Sequence, residues 1–290
     1  GRLTTPSGTL IGGVFGFLNI LIKVRKEFPT DRILLVFDKG KSFRNDIFPE
    51  YKANRKEKDE SFKWQWGEAI NLCRKLGFPV YHEDDGFEAD DVIGTLSASY
   101  AQRDDVSHVY IFSSDKDFVQ LLGPKVSMIR SNYTLLTPLK VQEIYGIRVD
   151  QMIDFLALMG DTSDNVPGVR GVGKKRAADL LSAHDNLAGV LDASDTMTSS
   201  VGKKIAASKE QAWLSRRLVT INTTMDLGLL PDDIIMTEPD HSSVYEQFIE
   251  WNFKKHLRDF RIHKPEVDIA QQLEWLSTDI ADNDWLRAET

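Results

Sequence analysis

Eight carboxylates stand where they could act together. Asp38 directly follows the apolar run Ile33–Phe37 (ILLVF), and Asp115 and Asp117 directly follow a second one, VYIFSS. Glu88, Asp90 and Asp91 open the stretch EADDVIGTL, while Asp161 and Asp164 lie in MGDTSDNVPGV. Aspartates crowded within a few ångströms raise one another's pKa unless a cation neutralises them. Oxygen-only donors suit a hard divalent ion, Mg2+ or Mn2+, and no pairing of His or Cys suggests zinc. Two such ions clamping attacking and leaving oxygens would suit phosphodiester hydrolysis. The competing reading is plainer. Acids at a helix start are stabilised by its dipole, and any one of these could be only a cap or part of a solvated face.

Convergence of the acids requires a sheet whose strand ends meet. ILLVF is short, apolar and bounded by charges, as a buried strand of a parallel sheet is. PVYH and SHVYIFSS read as further strands. Helical spacing covers Val14–Val24, Trp64–Leu76, EADDVIGTLSASYAQ and, briefly, KDFVQLL. The alternation predicts an α/β fold with a parallel central sheet and helices on both faces, in which ligands sit beyond the carboxyl ends of the strands. From Val141 the pattern is helical: VQEIYG, VDQMIDFLALMG, KKRAADLLSAH, VGKKIAASKEQAWLSRRLVTI and SVYEQFIEWNFKKHLRDF. We therefore expect an α/β core over 1–140, a helical subdomain over 141–264 and an acidic tail or linker over 265–290. No internal repeat or low-complexity segment stands out.

The 290 residues carry 44 acidic and 36 basic side chains, a formal net charge of −8. An average of that sign disfavours a nucleic-acid partner, but the charges are segregated. Lys39, Lys41, Arg44, Lys52, Arg55, Lys56, Lys58 and Lys63 crowd one segment; Glu83, Asp84, Asp85, Glu88, Asp90 and Asp91 crowd another. The basic run begins at Asp38, so its cations can overhang the acids and orient a phosphate. A solvated loop is the alternative. Tyr51 could stack on a base, or simply pack. Gly168, Gly171 and Gly173 in PGVRGVGKKRA would let a tight hairpin bring backbone amides to phosphate, with Lys174, Lys175 and Arg176 adding sequence-independent contacts. A plain helical hairpin would also explain the glycines. The single Cys73 rules out an internal disulfide, and no apolar run reaches the ~18 residues of a membrane span.

Four motifs in order, VFDKGKSFRNDIFPEYKANR, DGFEADDVIGTL, SSDKDFVQLL and MGDTSDNVPGVRGVGKKRAADLL, resemble the 5'-nuclease domain of bacterial DNA polymerase I and the wider flap endonuclease superfamily. The resemblance runs to about His263. It implies a PIN-like (resolvase-like) fold with a helical arch and a helix-three-turn-helix. The implied activity is metal-dependent 5'-3' exonuclease and flap endonuclease action on DNA, removing 5' flaps and RNA primers during replication and repair. Asp38, Glu88, Asp90 and Asp91 would serve one metal, and Asp115, Asp117, Asp161 and Asp164 the other. Lys52 resembles the active-site lysine and Arg55 the phosphate-binding arginine. Lys41, Arg44, Tyr51, Lys56 and the glycine hairpin would contact DNA, the hairpin also holding K+ through carbonyls. The implied partners are DNA with 5' ends or flaps and a polymerase, fused or separate. The implied setting is a monomer in the cytoplasm of a bacterium or phage-infected cell, or in an organelle.

The family begins with an apolar strand ending in an aspartate ahead of the segment LTT; this chain starts at Gly1-Arg2-Leu3-Thr4-Thr5. Truncation is the expected reason. Two further readings follow: a junction-binding protein without catalysis, and the same fold acting on RNA.

Overall fold

The computed structural model describes residues 3–38, 40–82 and 86–265. Lys39 and Glu83–Asp85 of the two charge runs, and the expected tail from 266 onward, lie outside the described residues. The chain begins with α1 (Gly12–Glu27), β1 (Leu35–Phe37), the short α2 (Arg44–Ile47), α3 (Glu60–Lys75) and β2 (Val80–His82). Next come α4 (Ala89–Ala101), β3 (Val109–Phe112), β4 (Val126–Ile129) and β5 (Leu135–Leu136). The remainder is helical: α5 (Pro138–Tyr145), α6 (Met152–Met159), α7 (Lys174–His184), α8 (Leu187–Ser194), α9 (Ser200–Ala206), α10 (Lys209–Val219), α11 (His241–Glu250) and α12 (Lys254–Asp259). Among the described residues no helix is long and apolar enough to cross a membrane.

By its contacts the chain forms two units. Of the described residues, one unit comprises the N-terminal segment to Lys26, Ser61–Gly77 and the chain from Thr237 to Pro265; the other comprises those within 27–60 and 78–236. Strands and middle helices therefore share one unit.

In the larger unit β1 pairs with β2 in parallel (Leu35↔Val80, Phe37↔His82), and β3 pairs with β4 in parallel (Val109↔Val126, Phe112↔Ile129). β5 joins β4 antiparallel. The α/β fold with parallel strands is as expected; among the described residues the hydrogen-bonded strands form two sheets, one parallel and one mixed. What unites them is α4: its buried Val92, Leu96 and Tyr100 form a cluster with Val36 of β1, Tyr81 of β2 and Val109 of β3. The helix can do this because its apolar residues recur at helical spacing while Asp90 and Asp91 occupy its first turn.

Helix α6 (MIDFLALM) is apolar almost all round, which suits a helix enclosed by others. Met152, Phe155, Leu156, Ala157 and Leu158 are fully buried. Its buried Asp154 accepts from Arg216 Nε at 2.6 Å and from the Leu187 amide at 2.9 Å, which ties α10 and the start of α8 to it. The long helix expected over Val201–Ile221 is two, α9 and α10, with Ala207 and Ser208 between them. β4, β5 and α8 were not foreshadowed by periodicity, because each is too short to show one.

In the smaller unit Phe15 of α1 meets Phe253 edge-on at 5.2 Å and His256 at 4.8 Å. His256 is wholly buried, ringed also by Phe248 and Phe260, and neither of its ring nitrogens has a hydrogen-bond partner. Burial, with Lys255 adding to it and Asp259 opposing, holds its pKa below the usual histidine value. A depressed histidine keeps its neutral form in the fold while the unfolded chain takes up a proton, so stability present above pH ~6.5 is lost as pH falls. Thermal melts should show this unit weakening from pH 7.5 to 5.5, and His256→Phe should flatten that dependence. An unchanged slope in the variant would remove His256 as its cause.

Candidate active site

The acids are placed by three element ends of the larger unit. Asp38 leaves β1 and its Oδ1 accepts the amide of Ala89, the first residue of α4, at 2.7 Å. Asp115 leaves β3 and accepts the Asp117 amide at 3.0 Å, capping the 3-10 turn Lys116–Leu121. Asp161 and Asp164 lie in the loop after α6, which closes on itself through a bridge between Asp161 and Val166. Glycine is required on either side of that bridge. Gly160 and Gly168 both have positive φ, and a Cβ on Gly168 would lie 2.4 Å from the Gly160 nitrogen.

A second loop is latched onto the first. The Lys52 amide donates to the Asp164 carbonyl at 2.9 Å, Asn165 Nδ2 donates to Glu50 O at 2.7 Å, and Asn54 Nδ2 donates to Thr162 O at 2.5 Å. Lys52 itself is held at φ +58, a conformation a lysine adopts only when its surroundings impose it. The side chains follow. Lys52 Nζ pairs with Glu88 and lies 3.8 Å from Asp164 Oδ2; Arg55 pairs with Asp164; Lys116 pairs with Asp161.

Beyond these pairs, and among the described residues, Asp90 has no ion partner and Asp117 has only a longer one, Lys116 Nζ at 3.8 Å from its Oδ1. Burial and then the charges of Asp115, Glu88 and Asp38 push Asp90 up to about 8, against the pull of Lys52. Burial and then Asp115 push Asp117 up to about 7, with Asp161 and Asp164 adding and Lys116 opposing. Asp117 Oδ1 is buried without a hydrogen bond. Asp161 behaves oppositely: burial would raise it, but Lys116 and the amide and hydroxyl of Ser163 (2.7 and 2.6 Å) outweigh that and hold it low. Among the described residues no three of these groups are drawn into a closed coordination sphere, lysine and arginine standing against the acids instead. An orphaned buried carboxylate oxygen and two protonation-prone aspartates amid oxygen-only donors are nevertheless what a hard divalent ion would satisfy.

Four expectations need correction. Asp91 is no free ligand. It is completely buried, and its oxygens take Arg44 Nη1 and Nη2 (both 2.8 Å), the Asn222 amide (2.8 Å) and the Glu88 amide (3.1 Å). Arg44 is likewise no DNA contact, being 2% exposed and bound also to Glu88 and to the carbonyls of Leu218 and Thr220. Tyr51 is 5% exposed and cannot stack on a base; its hydroxyl reaches Glu88 at 3.1 Å and Asp164 at 3.4 Å. Gly168 is buried, its amide donating to Ser215 and its carbonyl accepting from Gln211. Lys41, Lys56, Gly171, Gly173, Lys174, Lys175 and Arg176 are exposed, as contacts to a polyanion must be. Lys116 was missed, although its position between two aspartates in SSDKD was the available signal. The Asn54 and Asn165 latches gave none.

Breaking a buried pair leaves an uncompensated charge and costs roughly 3–5 kcal/mol. Arg44→Met should lower unfolding stability in urea by about that much, and adding Asp91→Asn should recover part of it. A small loss, or no recovery, would contradict the anchoring role.

Sequence profiles of two domains cover most of the chain: the 5'-3' exonuclease N-terminal resolvase-like domain matches residues 1–146, and the 5'-3' exonuclease C-terminal SAM fold matches 147–242. DNA polymerase I of Pseudomonas aeruginosa is 38% identical over 267 residues, 89% of this chain and 29% of that protein. The thermostable DNA polymerase I of Thermus filiformis is 38% identical over 260 residues, 89% of this chain and 31% of that one. The chain thus spans about a third of the length of the curated relatives it matches. Among solved structures, the zinc-bound 5'-exonuclease of T5 superposes with a TM-score of 0.64 at 27% identity, over 72% of this chain and 82% of that one. The bacteriophage T5 flap endonuclease in a complex with DNA and metal ions gives 0.62 at 25%, over 85% and 90%. The catalytic core of Rad2 shares the fold, with a TM-score of 0.60 at 16% identity, over 87% and 86%.

Proposed function

Because the chain belongs to the 5'-3' exonuclease family, we propose that its acid edge hydrolyses phosphodiesters of DNA at 5' ends and 5' flaps, RNA primers included. The observation that carries this reading is the pairing of an incompletely compensated acid edge with a lysine and an arginine latched directly over it. Asp38, Glu88 and Asp90 would hold one divalent ion, and Asp117, Asp161 and Asp164 a second, with Asp115 between them. Asp115 earns that place because its charge raises both Asp90 and Asp117. Bound Mg2+ or Mn2+ would supply a Lewis acid and an acidified water.

The chain's own residues do the rest. Lys52 and Arg55 contact the carboxylates of Glu88 and Asp164, and would exchange those partners for the oxygens of a phosphate entering between them. Their loop is pinned by backbone to the Asp161–Val166 loop, so the cations would meet the phosphate where the acids hold the metal. Lys41 and Lys56 would guide the strand inward. The hairpin from Gly168 to Gly173 would seat duplex backbone on Lys174, Lys175 and Arg176. The carbonyls of Gly168 and Gly171 each accept one hydrogen bond, from Gln211 and Arg176, which leaves each a lone pair for a K+ ion there. A polymerase, fused or separate, would fill the gap the nuclease leaves.

Incubation of the full gene product and Mg2+ with a 5'-flap duplex should release the flap near its junction, whereas a 3'-flap duplex should persist. Asp115→Asn should slow cleavage roughly 10^2–10^3-fold, the scale of a lost transition-state electrostatic contact, with duplex affinity unchanged. Binding without cleavage by the unmodified protein would overturn the enzymatic reading in favour of a junction-binding one.

A further inference from the structure

Against the expectation of no internal repeat, one short similarity is present: the stretch Val172–Asp179, VGKKRAAD, recurs almost unchanged as Val201–Ser208, VGKKIAAS. The first copy enters α7 and the second runs through α9. They do not share a helical phase. Gly173 caps α7, whereas Gly202 is buried inside α9 with its missing Cβ pressed against Met197, and Ile205 is fully buried where Arg176 is exposed. What the copies do share is an exposed lysine pair, Lys174 with Lys175 and Lys203 with Lys204.

The second pair reaches the turn that leads into the first. Lys204 Nζ lies 3.5 Å from where a Cβ on Gly171 would sit, and Gly171 is the exposed, positive-φ turn that leads into α7. Neighbouring cations are already spoken for: Lys209 pairs with Asp195 at 2.7 Å, and Arg216 with Asp154 at 2.6 Å. Among the described residues Arg170, Lys175, Lys203 and Lys204 have no such partner. Unpaired lysines gathered around one turn repel one another unless an anion with closely repeated charge spans them, and a nucleic-acid backbone carries one charge per ~1.7 Å of duplex.

We infer that Lys203 and Lys204 are a second set of phosphate contacts, gripping the same duplex as Lys174 and Lys175 and extending its track past Gly171. The inference rests on the duplex-holding role of the first hairpin. It is tested by the salt dependence of binding, without metal and hence without cleavage, to a fluorescent duplex over 50–200 mM KCl. Each backbone contact adds about 0.9 to the slope of log affinity against log salt, so Lys203→Ala with Lys204→Ala should cut the slope by ~2. The loss of affinity across that fourfold salt range should then be about tenfold smaller. Lys203→Arg with Lys204→Arg should restore the slope, which a merely structural defect would not allow. An unchanged slope alongside a reduced one in Lys174→Ala with Lys175→Ala would overturn the second contact and leave the first standing. If neither pair moves the slope, the duplex-holding role falls and the inference with it. Unchanged duplex binding with capture of an acidic peptide would reassign the lysines to a protein partner, again against the inference.

Discussion

A guanidinium removed from water has five N–H donors to satisfy, and Arg44 satisfies all of them inside the larger unit. Two contacts go to Asp91, one to Glu88 and one each to the carbonyls of Leu218 and Thr220. One side chain thereby joins the segment after β1, the start of α4 and the C-terminal end of α10. Burial alone would lower its pKa, but Asp91 and Glu88 more than offset that, and it stays charged. The arrangement also decides which acids are free to act. Asp91 is consumed in holding the fold. Glu88 gives one oxygen to Arg44 and turns the other to Lys52.

Around that anchor the acid edge has more negative charge than its own cations balance. Lys52, Arg55 and Lys116 stand against Glu88, Asp164 and Asp161, Lys116 also lying 3.8 Å from Asp117, and Asp90 and Asp117 still have pKa values pushed up to about 8 and about 7. Crowded acids of this kind destabilise a fold, so their gathering at these strand and helix ends asks for a cation from outside. The Gly160–Gly168 crossing makes the geometry rigid where it matters. It lets the loop of Asp161 and Asp164 run directly into the hairpin that carries Lys174, so the grip on a backbone and the acid edge are separated by a fixed stretch of chain.

Much of this was legible in the sequence. Asp38 and Asp115 could be placed because each ends a short apolar run, and the strand register then put both at carboxyl ends. Exposure of Lys174, Lys175 and Arg176 followed from a glycine-stopped helix start. What failed was the inference from residue type to role. A basic side chain beside an acidic site reads as a DNA contact, yet Arg44 is buried, because only the tertiary fold reveals that α4 and the C-terminal end of α10 close over it. Tyr51 fails for the same reason. The two-sheet arrangement, β5 and α8 were unreadable because two to eight residues carry too little periodicity. The loop latch through Asn54 and Asn165 depends on backbone carbonyls, which no sequence pattern marks.

The central claim is that Asp90 and Asp117 belong to a charge deficit that a hard divalent cation fills. The melting temperature of the protein in metal-free buffer, followed as Mn2+ is added, tests it most directly. A ligand bound only by the folded state must raise it with the logarithm of concentration beyond the dissociation constant. The account predicts such a rise, weakened in Asp117→Asn. A melting temperature indifferent to millimolar Mn2+, or a rise identical in the variant, would contradict it.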